Sequence, residues 1–260
     1  METLQWFEVY PSIFLNDFLR YFLVAGPVFL VFWVVARKPL RHRFIQRQFP
    51  KAPRIWHELR YSLSTVVIFS LIGLGIFTAQ QAGYTQIYLD FAAHGWAYFF
   101  LSLALMIVFH DAYFYWTHRL MHHPRIYPRV HKAHHMSTNP SPWAAYSFHP
   151  YEAVIQALSY VLMVFIMPLH PATLFVFLTY MIVRNVLGHL GFELFPKGFT
   201  RNKWLSWHTT STHHNLHHEH FTTNYGLYFS WWDELMGTTH PKYHEVFAEV
   251  KERKKEEAHE

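Results

Sequence analysis

The chain has 260 residues, of which 52% are hydrophobic, 20% aromatic and only 15% charged, a balance unusual for a soluble fold and characteristic of a membrane protein. Its formal charge of +5 comes from basic residues gathered beside apolar segments, where they face anionic lipid. No interleaved basic and aromatic pattern argues for a nucleic-acid partner. Cysteine is absent, which excludes disulfides, thiolate-ligated haem, cysteine-ligated iron–sulfur clusters and thiol nucleophiles, so any metal must sit on nitrogen and oxygen ligands.

The first Lys or Arg is Arg20, so the N-terminus lacks the positive region of a cleaved signal peptide and the first apolar segment is expected to be retained. An apolar run from Tyr21 to Ala36, extendable back through Ile13, and a second from Tyr61 to about Ala79 are each of a length to cross roughly 30 Å of hydrocarbon as a helix. Between them, residues 37 to 60 carry eight Lys or Arg against the single acid Glu58, which assigns that loop to the cytoplasm by the positive-inside rule. The next loop, Tyr84 to His94, has Asp90 and no Lys or Arg, and a third span from Gly95 to about Trp116 returns the chain to the cytoplasmic face. Trp6, Tyr10, Trp56 and Trp96 read as interfacial belt residues.

Two further apolar stretches, Ala153 to Leu169 and Ala172 to Gly188, meet at PLHP and form a hairpin, either crossing or re-entrant. Arg184, near the end of the second, is expected to snorkel. In both arrangements His118 to Glu152 and everything after His189 fall on the cytoplasmic side. The expected fold is an all-α integral membrane bundle of four to five apolar segments under a cytoplasmic histidine-rich helical cap. It forms a single domain over residues 1–260, with a di-metal core at 104–240 and a charged, solvated helical tail at 242–260.

Three histidine clusters stand out among 22 histidines: HRLMHH with His118, His122 and His123; HKAHH with His131, His134 and His135; and HHNLHH with His214, His217 and His218. On a helix, positions i, i+3 and i+4 share one face, so HxxxH and HxxHH aim two or three imidazoles at one point, the way a helix presents nitrogen ligands to a metal. Random placement of this many histidines gives about two HxxxH pairs but on the order of 0.2 HxxHH triples, so the two triples carry the inference. Lone histidines such as His42, His57, His94 and His170 read as polar or capping residues. About nine ligands exceed what one ion takes, so two metals are implied. Imidazole suits iron, zinc or copper. A metal pair at the mouth of an apolar bundle meets lipid chains, and attack on an unactivated C–H bond needs an oxidant that zinc cannot supply, which favours iron with dioxygen.

HDAYFYWTHRLMHH, YPRVHKAHH, SFHPYE, NVLGHLGFE and HHNLHHEHFTTNYGLYFSWWDELMGT together resemble the sterol desaturase and fatty acid hydroxylase superfamily of membrane-bound di-iron enzymes, over roughly residues 104 to 240. The resemblance implies a helical membrane anchor under a cytoplasmic cap holding two iron ions on histidines, with dioxygen as co-substrate and a membrane lipid as substrate. It places His118 and His122 in a first box, His131, His134 and His135 in a second, and His214, His217 and His218 in the last, with His189 as the isolated ligand between. Some relatives continue that ligand as HxxxH. This chain has Glu193 at the i+4 position, open to roles as carboxylate ligand, hydrogen-bond acceptor or structural group. His110, Asp111, His149, Glu152 and Asp233 also fall in motif-like places, with Asp111 and Asp233 expected to orient ligand imidazoles.

The reading is a lipid hydroxylase or desaturase. No flavin or nicotinamide motif is present, since the GLG at 73–75 lies inside a span and lacks its third glycine. An external reductase with a small electron carrier is therefore expected. Zinc can substitute for iron in a purified sample. A zinc-dependent membrane hydrolase would need a positioned general base that the sequence does not show, and a metal transporter would need polar groups along the spans.

Overall fold

The computed structural model describes residues 4–254, so the last six residues of the expected tail lie outside it. The longest apolar runs become the longest helices. Helix α1 covers Leu4–Phe29 and continues as a π-helical stretch, Leu30–Val35; α2 covers Ala52–Gln81 and α3 Gly95–Met121. The π stretch follows Pro27, which has no N–H to give the regular ladder. Two short turns, α4 (Tyr127–Val130) and α5 (Lys132–His135), carry the second histidine box. After a 3₁₀ segment, Pro142–Tyr146, the apolar hairpin forms α6 (Pro150–Ile166) and α7 (Pro171–Gly188), each entered through a proline in the first turn behind a histidine cap. Helix α8 (Ser211–His220) bears the last box, and α9 (Trp231–Leu235) and α10 (Tyr243–Glu252) close the cap. Among the described residues there are only isolated β-bridges and no strand.

Four helices are long and apolar enough to cross a membrane: Trp6–Val35, Ala52–Gln81, Gly95–Met121 and Pro171–Gly188. Helix α6, at 17 residues, is shorter. The turn of the α6–α7 hairpin nonetheless reaches the level of the loop between α2 and α3. Gln86 N donates to Val164 O (2.8 Å), Tyr88 N to Leu169 O (3.2 Å), and Tyr98 Oη to Pro168 O (3.0 Å). The hairpin turn is therefore packed on the α2–α3 loop, at the end of the bundle away from the histidine boxes.

Because α1, α2, α3, α6 and α7 alternate in direction, the end of α1, the start of α2, the end of α3, the start of α6 and the end of α7 share one end of the bundle. Every histidine box is attached there. The 3₁₀ segment is clamped beneath them: Tyr21 Oη of α1 (2.9 Å) and Ser62 Oγ of α2 (2.8 Å) both donate to Trp143 O, and buried Glu58 accepts from Ser141 N and Oγ. Trp6, Trp56 and Trp96 are exposed near helix ends. The expected solvated tail helix is amphipathic instead: Tyr243, Phe247 and Val250 of α10 are buried against the cap.

Candidate metal centre

Nine imidazoles converge where these helix ends meet, and they sort into two groups whose nearest nitrogens lie within 4.8 Å of one another: His118, His122, His131, His135 and His217; and His134, His189, His214 and His218. His118 and His122 come from the last turn of α3 and its cap, His131 to His135 from α4–α5, His189 from the cap of α7, and the rest from α8. Each HxxHH triple is split. Residues four apart stay on one face, while the adjacent position is turned about 100° round the helix. His131 and His135 thus join the first group and His134 the second; His214 and His218 join the second and His217 the first.

The inner nitrogens face one another. In the first group His131 Nε2 lies 3.0 Å from His118 Nε2 and 3.1 Å from His135 Nε2, which is 3.1 Å from His217 Nε2. In the second, His189 Nε2 is 3.1, 3.2 and 3.4 Å from those of His214, His218 and His134. The outer nitrogens face acceptors: His118 Nδ1 faces Tyr225 O (2.8 Å), His134 Nδ1 Ser147 O (3.3 Å), His189 Nδ1 Asn185 O (2.8 Å), His217 Nδ1 Thr223 O (2.7 Å) and His218 Nδ1 Ser137 O (2.8 Å). A carbonyl can only accept, so each of these five rings carries its proton on Nδ1 and points a bare Nε2 lone pair inward.

Lone pairs packed this way repel unless a cation lies between them. A metal–nitrogen bond of about 2.0–2.1 Å puts neighbouring ligand nitrogens about 3.0 Å apart at a right angle and about 3.4 Å apart at the tetrahedral angle; the observed spacings lie in that range. Burial, with the neighbouring imidazoles adding to it, holds His131, His134, His135, His214, His217 and His218 well below the usual histidine pKa, and takes His189 down to about 4. The set is neutral and ready to ligate at physiological pH, and its all-imidazole chemistry fits iron, zinc or copper.

The other motif residues are placed elsewhere. Glu193 is outside both groups: Oε2 accepts from Thr212 N (3.0 Å) and Oγ1 (2.7 Å), and Oε1 from Phe195 N (3.0 Å), so it secures the first turn of α8. Asp111 touches no ligand; it accepts from Tyr228 N, Phe229 N and Trp231 Nε1, tying α3 to the segment before α9. Asp233 acts at one remove. It accepts from Tyr225 N and Gly226 N (2.8 Å each), fixing the residue whose carbonyl receives His118, and lies 3.3 Å from His213, which is not in either group. Gly226 is required by that approach, since a Cβ there would sit 2.5 Å from Phe229 O. His149 caps α6 through Tyr151 N, and His110 is buried among Phe114, Phe177 and Tyr228. Arg184 does not snorkel; it turns inward to Thr209 O and Tyr228 O.

Two features were not assigned a role from sequence. Glu152, fully buried, puts Oε1 2.8 Å from His131 Nδ1, a carboxylate behind an imidazole; its place in SFHPYE was the available signal. Phe221 ends α8 in the left-handed region (φ 65°), which packs its ring 4.8 Å from that of His135. Nothing in the sequence pattern announces that contact.

Comparison with known proteins gives a match to the family described as fatty acid hydroxylase over residues 103–238. The chain is 35% identical to the Delta(7)-sterol 5(6)-desaturase ERG3B of Gibberella zeae over 213 residues, 80% of this chain and 62% of that protein. It is 30% identical to the Delta(7)-sterol 5(6)-desaturase erg3B of Aspergillus fumigatus over 94% of this chain and 68% of that one, and 28% identical to lathosterol oxidase of Mus musculus over 87% and 73%. The chain thus spans just over three fifths of the length of the Gibberella protein. No solved structure matches.

Proposed function

The chain belongs to the fatty acid hydroxylase family, within the sterol desaturase and fatty acid hydroxylase superfamily, and from that premise we propose that it is an integral-membrane, di-iron, dioxygen-dependent lipid hydroxylase or desaturase. The observation that carries the reading is the gathering of nine rings in one group of five and one of four, five of them with protons outward on backbone carbonyls and bare nitrogens inward. Two iron ions held there would supply oxidation of an unactivated C–H bond by dioxygen.

The protein's own part is to bind and orient. Tyr225, Ser147, Asn185, Thr223 and Ser137 fix the ring planes through their carbonyls, and Glu152 Oε1 stands 2.8 Å from Nδ1 of His131. Phe114 and Phe148, 4.9 and 5.4 Å from His118 and His134 ring to ring, line the membrane side of the centre and keep water from it. The eight basic residues at 37–60, six before α2 and two within its N-terminal third, support a cytoplasmic position for this end of the bundle, where an external reductase with a small electron carrier would deliver the electrons. The relatives' names make a sterol one substrate class to test. A zinc hydrolase is the weaker reading, because among the described residues no carboxylate joins either histidine group to act as base.

The test is a comparison of lipid extracts from cells expressing the wild-type chain and its His134→Ala variant. A product heavier by one oxygen, or lighter by two hydrogens, is expected only with the wild type. Identical extracts, with iron present at about two per chain, would remove the proposal.

A further inference from the structure

Helix α3 fixes where the bilayer ends. Its exposed tryptophans, Trp96 and Trp116, are 20 residues apart, about 30 Å of helix, which is the thickness of a hydrocarbon core. Indole rings settle at the two boundaries of that core. The outward stripe of the same helix, Leu101, Leu105, Val108, Trp116 and Leu120, is exposed. Trp116 therefore marks the bilayer boundary at the histidine end.

Two pieces of the cap are drawn down to that level. Trp232 of α9 packs edge-on to Trp116 with ring centroids 5.7 Å apart, and Trp231 Nε1 donates to Asp111 Oδ2 (2.8 Å), five residues deeper on α3 than Trp116. Arg184, four residues before the end of α7, donates to Thr209 O (3.3 Å) and so holds the segment ahead of α8 beside the spans. Trp207 joins the two pieces: its ring stacks on that of Trp231 at 6.0 Å, and its Nε1 donates to Trp204 O (2.7 Å).

Both pieces turn apolar side chains outward. Trp204 is 84% and Leu235 76% exposed, with Leu205, Trp207 and Met236 also exposed, and none of these residues belongs to the four spans. Between Glu193 and Glu219 the chain has no acid and carries Lys197, Arg201 and Lys203. Lys197 is paired with Glu252 (2.8 Å), whereas exposed Arg201 and Lys203 form no ion pair among the described residues. Glu234, the exposed acid of α9, accepts from Ser230 Oγ (2.7 Å). An apolar edge continuous with a lipid-facing helix and rimmed by unpaired cations matches the interface of an anionic leaflet. We propose that residues 201–207 and α9 form a membrane contact separate from the spans, seated in the leaflet at the histidine end. Trp204, Leu205, Trp207 and Leu235 enter the upper acyl region there, and Arg201 and Lys203 meet anionic headgroups.

This contact is independent of the lipid-oxidation reading, and its test needs no turnover. Wild-type protein is placed one chain per disc in phosphatidylcholine nanodiscs doped with phosphatidylserine or phosphatidylcholine that carries a diazirine on an upper acyl carbon. After photolysis the adducts are mapped by mass spectrometry. They are expected in residues 204–207 and 231–236 as well as in the α3 stripe, and not on α10, whose exposed side chains Glu245 and Glu249 are charged. At equal mole fraction the phosphatidylserine probe should label 204–207 about threefold more than the phosphatidylcholine probe, and Arg201→Gln/Lys203→Gln should bring the two within about 1.5-fold. Adducts in α3 with none in 204–207 and 231–236 would overturn the proposal. So would equal labelling of the wild type by the two probes, or a preference that survives the double substitution. Loss of the adducts at two chains per disc would give the patch to a second copy and overturn it equally.

Discussion

His131 and Glu152 are both buried from solvent and meet at 2.8 Å, Nδ1 to Oε1, while the opposite nitrogen of the same ring faces His118 and His135. It is the only carboxylate among the described residues that lies against an imidazole of either group. A buried carboxylate needs compensation, and a ligated His131 provides it. Glu152→Gln should therefore lower affinity for one of the two ions by about 10- to 100-fold, measured by competition with a chelator, while the second ion is retained. Unchanged affinity for both would show that the contact is incidental.

His134→Ala and His217→Ala remove ligands from different groups. Each variant should insert into membranes normally, lose lipid oxidation and retain about one ion per chain by elemental analysis. Both sites emptying together would instead show that the two groups are not separable, and full activity in either variant would take that residue out of the site.

Glu193→Ala distinguishes a structural carboxylate from a ligand. Thr212 N and Phe195 N would lose their acceptor in a buried setting, at a cost of about 1–3 kcal/mol for each group left unsatisfied. Thermal stability should fall while metal content stays at two per chain. A drop to one ion with stability intact would make it a ligand after all.

The pH behaviour of metal-stripped protein follows from the depressed histidines. In the unfolded chain each titrates near 6.5; folded, burial keeps His189 neutral to about 4, and burial with the neighbouring imidazoles holds His131, His214 and His218 well below 6.5. Below 6.5 the unfolded state binds more protons, so stability is full above that value and is lost as pH falls, by up to about 1.4 kcal/mol per unit for each such ring. The unfolding midpoint of chelator-treated protein should drop steadily from pH 7 to 5. A flat profile would mean that the rings are already protonated or solvated.

Phe221 is held at φ 65° against His135. Phe221→Gly releases about 1–2 kcal/mol of backbone strain but strips the ring from the ligand. Ions should leave several-fold faster on chelation even if the fold is no less stable. An unaltered rate would assign the strained residue to chain reversal alone.

The spacing of the boxes was readable because helical periodicity is local: i, i+3 and i+4 are enough to show that His131, His134 and His135 share a face. Which ion each serves was not, since the division between His134 and His135 depends on where α7 and α8 deliver His189, His214, His217 and His218. The partners of Asp111, Glu193 and Asp233 were not legible for the same reason. Their partners are backbone amides at residues 195, 212, 225, 226, 228 and 229, and amides leave no mark in a sequence. The spans were legible from apolar length, but the place where the α6–α7 turn packs was set by hydrogen bonds to the α2–α3 loop. Arg184 lay at a position where sequence suggests snorkelling, and two distant carbonyls turned it inward.

The second group takes one imidazole from before the α6–α7 hairpin and three from after it, two of them on α8. During biosynthesis the cage stays open until most of the chain has left the ribosome, so metallation can only be a late event. A product stopped short of residue 214 would lack His214, His217 and His218, and neither group could close.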